Sequence, residues 1–450
     1  MNPLQNLEQE YHALAQQHAD RLEQEFDAMT RYMQGSTAIH HGEYVRSCYI
    51  PKLFTEQEVT RLAADMKILY AIFAKVMARY YAEPAVRALF GFDARTEELI
   101  LRSDPSRAML PMARIDFFYD DATGEYTFCE FNADGASAMN EDRELHRAQQ
   151  LSTCYRAFCA KHTTRSCELF DSWVETVLRI WCRVRGTDAV PQVAICDVME
   201  CGTVNEFHVF QSHFEAAGIP CEVCDVRALR YDEAARALYA PSGRKIDVIY
   251  RRAVTSDLLD HYGECTALLQ AVRQDAVLLV GDFHTQLVHN KTLFRVLYEP
   301  EILSNLAPEE QEYVRRHVPF TQTFTAQDAE AVAQQPEGWI LKPWDSYGSR
   351  GVMAGVEYTP EQWREVVQAT PTDGSYLMQR FHMPFVTQNY GLADGMFGKH
   401  RYYNLTGLYV YDGVVQGVYS RVSLSPIISS QYSEKTLPTL LVDAEQADSL

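Results

Sequence analysis

Arg114-Ile115-Asp116-Phe117-Phe118 is followed, after Asp120-Asp121-Ala122-Thr123-Gly124, by Cys129-Glu130-Phe131-Asn132. In a strand, residues two apart share a face. Arg114 and Asp116 therefore project together, as do Glu130 and Asn132. The Asp- and Gly-rich segment between the strands is a turn signal, so the two form a hairpin. Two carboxylates, an amide oxygen and a guanidinium are thus set among Phe117, Phe118, Phe128 and Phe131. Hard oxygen ligands of this kind suit Mg²⁺, which takes one or two carboxylates together with nucleotide phosphates. An arginine beside them suits a phosphoryl group. Each pair alone also fits a surface ion pair; in register on one hairpin they point to ATP chemistry.

The chain around this hairpin has 450 residues, 47% hydrophobic and 23% charged, enough for two or three domains or one large interwoven unit. A formal charge of -20 argues against nucleic acid as a partner, favours solubility and could draw in a cationic substrate. No apolar run reaches the length that spans a membrane, and the start carries no secretory signal, so a cytoplasmic protein is expected. The 11 cysteines all precede residue 266 and are expected as reduced thiols. Cys221 and Cys224 form the one Cys-x-x-Cys, but in a strand residues three apart face opposite ways, which does not make a metal site.

Apolar spacing predicts helices over the first ~35 residues and from an N-cap at Thr55, with Glu58 three residues on, through Tyr81. From Val190 strands and helices alternate. The predicted strands are 190–197, 221–226, 246–250 and 276–280, with helices over 205–217, 232–239 and 257–272. That alternation implies a mostly parallel, doubly wound sheet. Helices are expected again over 286–299 and 308–317. Strands and turns return from Gly338, ending in antiparallel hairpins such as Tyr409 to Val415. The expected division is 1–110 helical, 111–187 carrying the hairpin, 188–285 an α/β domain and 286–450 the remainder.

Trp339-Ile340-Leu341-Lys342-Pro343 reads as a strand bearing a lysine. It runs into Trp344-Asp345-Ser346-Tyr347-Gly348-Ser349-Arg350-Gly351. A loop rich in Gly and Ser lets backbone N–H groups approach phosphate oxygens, with Lys342 as a point charge. Ser346, Gly348, Ser349 and Gly351 are the candidate phosphate contacts, in a loop expected to close over the triphosphate. The lysine precedes the loop, so this is not a Walker A motif. The strand Ser375 to Phe381 could line an adenine pocket, with Gln379 adding a side-chain hydrogen bond. Arg421, on a strand of the terminal sheet, could return over the hairpin of Arg114.

Lysine strand, Gly loop, adenine strand and acidic metal ligands together resemble the ATP-grasp fold. Here the metal ligands come more than 200 residues ahead of Lys342, a permuted order. The Arg-x-Asp and Glu-x-Asn pairs in that order resemble the synthetase domain of glutathionylspermidine synthase and its relatives, circularly permuted ATP-grasp ligases. The resemblance runs from about Arg114 to Arg421 and includes the stretch Asp247 to Arg252. It implies an α+β / α/β fold: a circularly permuted ATP-grasp core with an inserted pre-ATP-grasp-like α/β domain and N-terminal helices. It also implies that Arg114 and Arg421 hold the transferring phosphoryl group, that Asp116, Glu130 and Asn132 bind Mg²⁺, and that Lys291 and Lys342 contact nucleotide phosphates. The hairpin loop is slightly longer than in the founding synthases. Residues 1–110 match no cysteine amidase, and no glutathione-binding residues are matched.

The expected activity is therefore an ATP-dependent carboxylate–amine ligase with ATP and Mg²⁺ as cofactors. Its substrates would be a small-molecule acid and an amine of the amino acid, peptide or polyamine class, with no nucleic acid or membrane partner. The alternatives are a nucleotide-binding protein of the same fold that regulates or scaffolds, and phosphotransfer without amide formation.

Overall fold

The structure, a computed structural model, describes residues 2–40, 42–344, 350–428 and 434–443. The chain opens with two helices, α1 (Pro3–Gln17) and α2 (Leu22–Gln34), where the periodicity placed helix. Asn2 and Gln5 close a capping box on α1. Thr55 and Glu58 do the same for α3 (Glu56–Ala82), satisfying N–H groups the first turn leaves open. The buried stripe of α3, from Leu62 through Phe73 to Tyr80, packs on the core side of the hairpin, where Phe73 meets Phe131 edge-on at 5.2 Å.

That hairpin is β1 (Met112–Tyr119) and β2 (Tyr126–Asn132), followed by α4 (Met139–Gln149). Next come β3 (Val193–Asp197), α5 (Val204–Ala216), β4 (Cys221–Asp225), β5 (Val248–Arg251) and β6 (Leu278–Val280). These four strands form one parallel sheet in the order β6-β5-β3-β4. The order reverses beside β3, as in doubly wound sheets.

The helix expected over 232–239 is not formed. Arg230–Asp232, Ala237–Tyr239 and Lys245–Ile246 build a small antiparallel meander instead. Two turns of helix hardly repay nucleation, and Asp232 serves a turn instead, accepting from the Ala235 N–H at 2.9 Å. Pairing lets Leu238 bury between Tyr231 and Ile246, and Arg236 takes a left-handed turn at φ 47°. The helix expected over 257–272 is two helices, Thr255–Asp260 and Thr266–Arg273, separated around Gly263.

The stretch expected as one helix over 286–299 is broken into α6 (Gln286–His289) and α7 (Thr292–Val296). Asn290 leaves the helical region, and its side chain accepts from the Thr292 N–H at 2.9 Å. Helix α8 (Pro308–His317) lies where expected. A small antiparallel sheet follows from β7 (Thr321–Thr323), β8 (Trp339–Pro343), β9 (Met353–Ala354) and β10 (Tyr376–Arg380), in the order β7-β10-β8-β9. It has its own core of Phe324, Trp339, Leu341, Trp363 and Met378.

Four strands near the end of the chain, ahead of Thr439–Val442, are β11 (Val386–Ala393), β12 (Met396–Tyr411), β13 (Val414–Ser423) and β14 (Lys435–Leu437). They join the early hairpin in one antiparallel sheet, β14-β13-β12-β1-β2, with β11 on the outer half of β12. Asp412 and Gly413, both at positive φ, make the tight turn between β12 and β13 that the sequence signalled. Residues almost 300 apart in sequence therefore share one sheet face. No described helix is long and apolar enough to cross a membrane.

Candidate active site

Register brings the hairpin's four polar residues together. Arg114 pairs with Asn132 and Asp116 with Glu130, but Phe117 then pairs with Phe128, leaving Cys129 as an extra residue. This bulge re-phases β2, so that Phe128 and Phe131, three apart, both turn to the core while Glu130 and Asn132 face the cleft. Across the other edge of β1, Asp116 pairs with Gly407 of β12. A Cβ on Gly407 would come 2.5 Å from Asp116 Oδ1, so the site is built against a bare strand backbone.

Asp116 is a buried hub. Arg114 donates to its Oδ1 through Nε at 2.8 Å and to its Oδ2 through Nη2 at 3.0 Å. Arg421, carried on β13, donates to Oδ2 at 2.8 Å, and the Asn132 amide adds 3.1 Å. Arg421 does return over the hairpin. It also pairs with Glu434 at 3.2 Å. The Tyr419 ring lies 5.1 Å from the Arg114 guanidinium and 5.5 Å from that of Arg421. Tyr419 donates its hydroxyl to Glu141 at 2.7 Å, and burial pushes the Glu141 carboxyl up to about 7. Beside this group lies His40, whose pKa burial lowers, keeping the imidazole neutral.

Two lysines approach from other elements. Lys291, the cap residue of α7 rather than part of a helix opening at His289, faces Glu130 at 3.4 Å. Burial alone would raise the Glu130 carboxyl, but the positive charges of Lys291, His289 and Lys342 outweigh it and hold it at about 2. Lys342, on β8, is itself lowered by burial and donates to Gln379 Oε1 at 2.7 Å. Gln379 gives its own N–H to Thr321 at 2.9 Å, so its side chain is spent on the lysine and on β7.

Arg114, Glu130, Asn132, Lys291, Lys342, Gln379 and Arg421 all line one cleft of about 280 Å³ between the two antiparallel sheets. Its apolar wall includes Ile340, Val352, Phe381, Leu405 and Ile427. Gly351 is at φ 71°, beside Pro343 and Tyr376. Ser346, Gly348 and Ser349 lie outside the described residues.

The donor set fits a magnesium nucleotide. Glu130 offers a carboxylate that is ionised at neutral pH, Asn132 an amide oxygen and Asp116 a second carboxylate, all hard ligands on one face. Two lysines and two arginines surround them, and the apolar wall suits a base. The Cys129 thiol, pushed up to about 11 by burial, stays protonated and is no nucleophile. Elsewhere Glu168, Asp171 and His213 also come within ligating distance of one another. There the Glu168 oxygens already cap a helix through the N–H groups of Phe170, Asp171 and Ser172.

Sequence reasoning missed Gly407, Tyr419, Glu141 and Glu434. A glycine inside the apolar run Leu405 to Tyr411 was the one available signal. The stretch Asp247 to Arg252 has a structural part to play: Arg251 pairs with Asp134 at 2.6 Å and Arg252 with Glu206 at 3.0 Å, all four buried. These ties anchor the segment after β2, whose Ser137 carbonyl accepts from Arg114 at 3.1 Å.

Compared with known proteins, residues 14–433 match the family model "glutathionylspermidine synthase preATP-grasp". Among solved structures, a glutathione synthetase-like effector from Globodera pallida, in its apo form, superposes with a TM-score of 0.63 at 13% identity. The match covers 94% of this chain and 97% of that one. The D-cycloserine synthetase DcsG gives a TM-score of 0.27 at 12% identity over 54% of this chain and 89% of that one. A search of curated proteins returned no match.

Proposed function

We propose that this chain, which belongs to the glutathionylspermidine synthase family, is an ATP-dependent carboxylate–amine ligase that makes an amide through an acyl phosphate. One observation carries this reading. Arg114, Lys291, Lys342 and Arg421 come from four separate segments and meet Glu130 and Asn132 on the wall of one cleft, around the buried Asp116. A site that only bound nucleotide would have little use for two arginines beside the metal ligands.

In this reading Lys291 and Lys342 bind the triphosphate, and the apolar wall takes the base. Asp116, Glu130 and Asn132 would hold Mg²⁺, which neutralises phosphate charge. Arg114 and Arg421 orient the γ-phosphoryl group. A carboxylate oxygen of the acid attacks that phosphorus, the bond to the bridging oxygen breaks, and ADP leaves. The amine nitrogen then attacks the acyl carbon, losing a proton as phosphate departs. Such chemistry depends on positioning and charge rather than on a protein nucleophile. The same reading makes the sheet β14-β13-β12-β1-β2 and the sheet β7-β10-β8-β9 the two parts of a circularly permuted ATP-grasp core. The parallel sheet at about 188–285 is then an inserted domain.

The test is a panel of amino acids, short peptides and polyamines, screened pairwise for ADP release with product mass. ADP that appears only with both an acid and an amine, with a product at their summed mass less water, supports the ligase. ADP with an acid alone and a stable phosphorylated product indicates phosphotransfer. Nucleotide binding without ADP across the panel indicates a regulatory or scaffolding protein.

A further inference from the structure

Both oxygens of Asp116 are spent on guanidinium groups, Oδ1 on Arg114 and Oδ2 on Arg114 and Arg421. Glu130 faces Lys291, and Glu434 faces Arg421. Among the described residues the cleft is lined by five cations, Arg380 being the fifth, so with these three carboxylates the sum is two positive charges, or one when Glu141 on the same wall is ionised. A divalent cation entering by itself would add two more beside Arg114 and Arg421. A fully ionised triphosphate entering by itself would bring four negative charges up to carboxylates that already hold the cations it needs. The two entering together leave the sum within one charge of neutral. Like charges gathered in a buried site are costly, so joint entry is favoured over either alone.

The arginines also have holds that do not involve Asp116. Arg114 donates to the Ser137 carbonyl at 3.1 Å, Arg421 reaches Glu434 at 3.2 Å, and both guanidiniums lie against the Tyr419 ring. They can stay on the cleft wall when Asp116 lets go.

We propose that Asp116 is an exchange residue: it holds both arginines until metal and nucleotide enter together, then yields them to phosphate oxygens as its own oxygens turn to the metal. This makes Asp116 a positioning residue as well as a ligand, and couples the two binding events. It rests on the reading above only in that a nucleotide and a divalent metal bind in this cleft.

The experiment is calorimetric titration with the β,γ-imido analogue of ATP, in EDTA and in Mg²⁺, and with Mn²⁺ alone followed by its electron paramagnetic resonance signal. Coupling is reciprocal, so freeing either partner of the Asp116–arginine pairs should favour one ligand in the absence of the other. In EDTA, Asp116→Asn should bind the analogue roughly tenfold or more tighter than wild type, and in Mg²⁺ more weakly. Conversely, Arg114→Gln should bind Mn²⁺ alone roughly tenfold or more tighter than wild type. An EDTA affinity for Asp116→Asn at or below that of wild type overturns the proposal. So does an unchanged Mn²⁺ affinity for Arg114→Gln, which decides the matter if Asp116→Asn fails to fold. Wild type that binds no analogue even in Mg²⁺ refutes the nucleotide site itself, a separate outcome.

Discussion

Replacing Gly407 by alanine adds one methyl group to a strand and should disable the site from behind. The backbone at Gly407 is not in the left-handed region, so alanine is tolerated there conformationally. The added Cβ would sit 2.5 Å from Asp116 Oδ1 and 3.0 and 3.1 Å from Arg114 Cγ and Cδ. Ordinary contact begins near 3.4 Å, so the carboxylate must retreat by roughly 0.9 Å. Its bonds to Arg114 and Arg421, now at 2.8 to 3.0 Å, would then stretch past the useful range. Overpacking of this kind costs about 1–3 kcal/mol. Misplacing a catalytic group by ~1 Å can cost on the order of 10²-fold in rate. We expect a melting temperature lower by a few degrees and affinity for the ATP analogue in Mg²⁺ weakened roughly tenfold or more. Gly398→Ala, on the same strand, is the control, because its Cβ would meet only the movable end of His400 at 3.2 Å. Wild-type melting and wild-type analogue binding by Gly407→Ala would refute the packing of Asp116 against this glycine.

Arg114→Lys keeps charge but loses the planar fork. It should lower kcat by roughly 10²-fold with ATP affinity changed only a few-fold, because a positioned donor acts most strongly in the transition state. Lys342→Ala should instead weaken ATP binding, a split read from kcat and KM. Glu130 titrates at about 2 in the folded chain against a usual 4.5, so its stabilisation is present above about pH 4.5 and lost as pH falls toward 2. Glu130→Gln should therefore flatten the fall in melting temperature across that window, and an unaltered acid limb would contradict the charge network. Thiol titration should count eleven free cysteines in denaturant, with Cys201, the exposed one, reacting first in the native protein. A faster-reacting Cys129 would contradict its raised pKa.

How much of this was legible in the sequence depended on range. The hairpin could be read because period-2 alternation and the turn at Asp120 to Gly124 are local signals, and the capping boxes at Thr55 and the Asp412-Gly413 turn were legible for the same reason. The parallel strands stood out as apolar runs. The bulge at Cys129 could not be read, because nothing in Phe128-Cys129-Glu130 says which residue is extra until Phe117 and Asp116 choose their partners. The segment 232–239 has helical composition, and only tertiary pairing of Leu238 with Tyr231 and Ile246 overrides it. The return of Arg421 to Asp116, across 305 residues, was anticipated from its place on a terminal strand together with the family resemblance, not from any local pattern. Tyr419, Glu141 and Glu434 acquire their places from the same long-range sheet, and no local pattern announces them.

The most direct measurement follows ¹⁸O from the acid. With a reactive acid–amine pair in hand, the acid labelled in both carboxylate oxygens is turned over with ATP and Mg²⁺, and the released phosphate is analysed by mass. An acyl-phosphate route moves one labelled oxygen into each phosphate formed, with one ADP for every amide. Unlabelled phosphate, with amide still formed, would contradict phosphorylation of the carboxylate and with it the role assigned to Arg114 and Arg421.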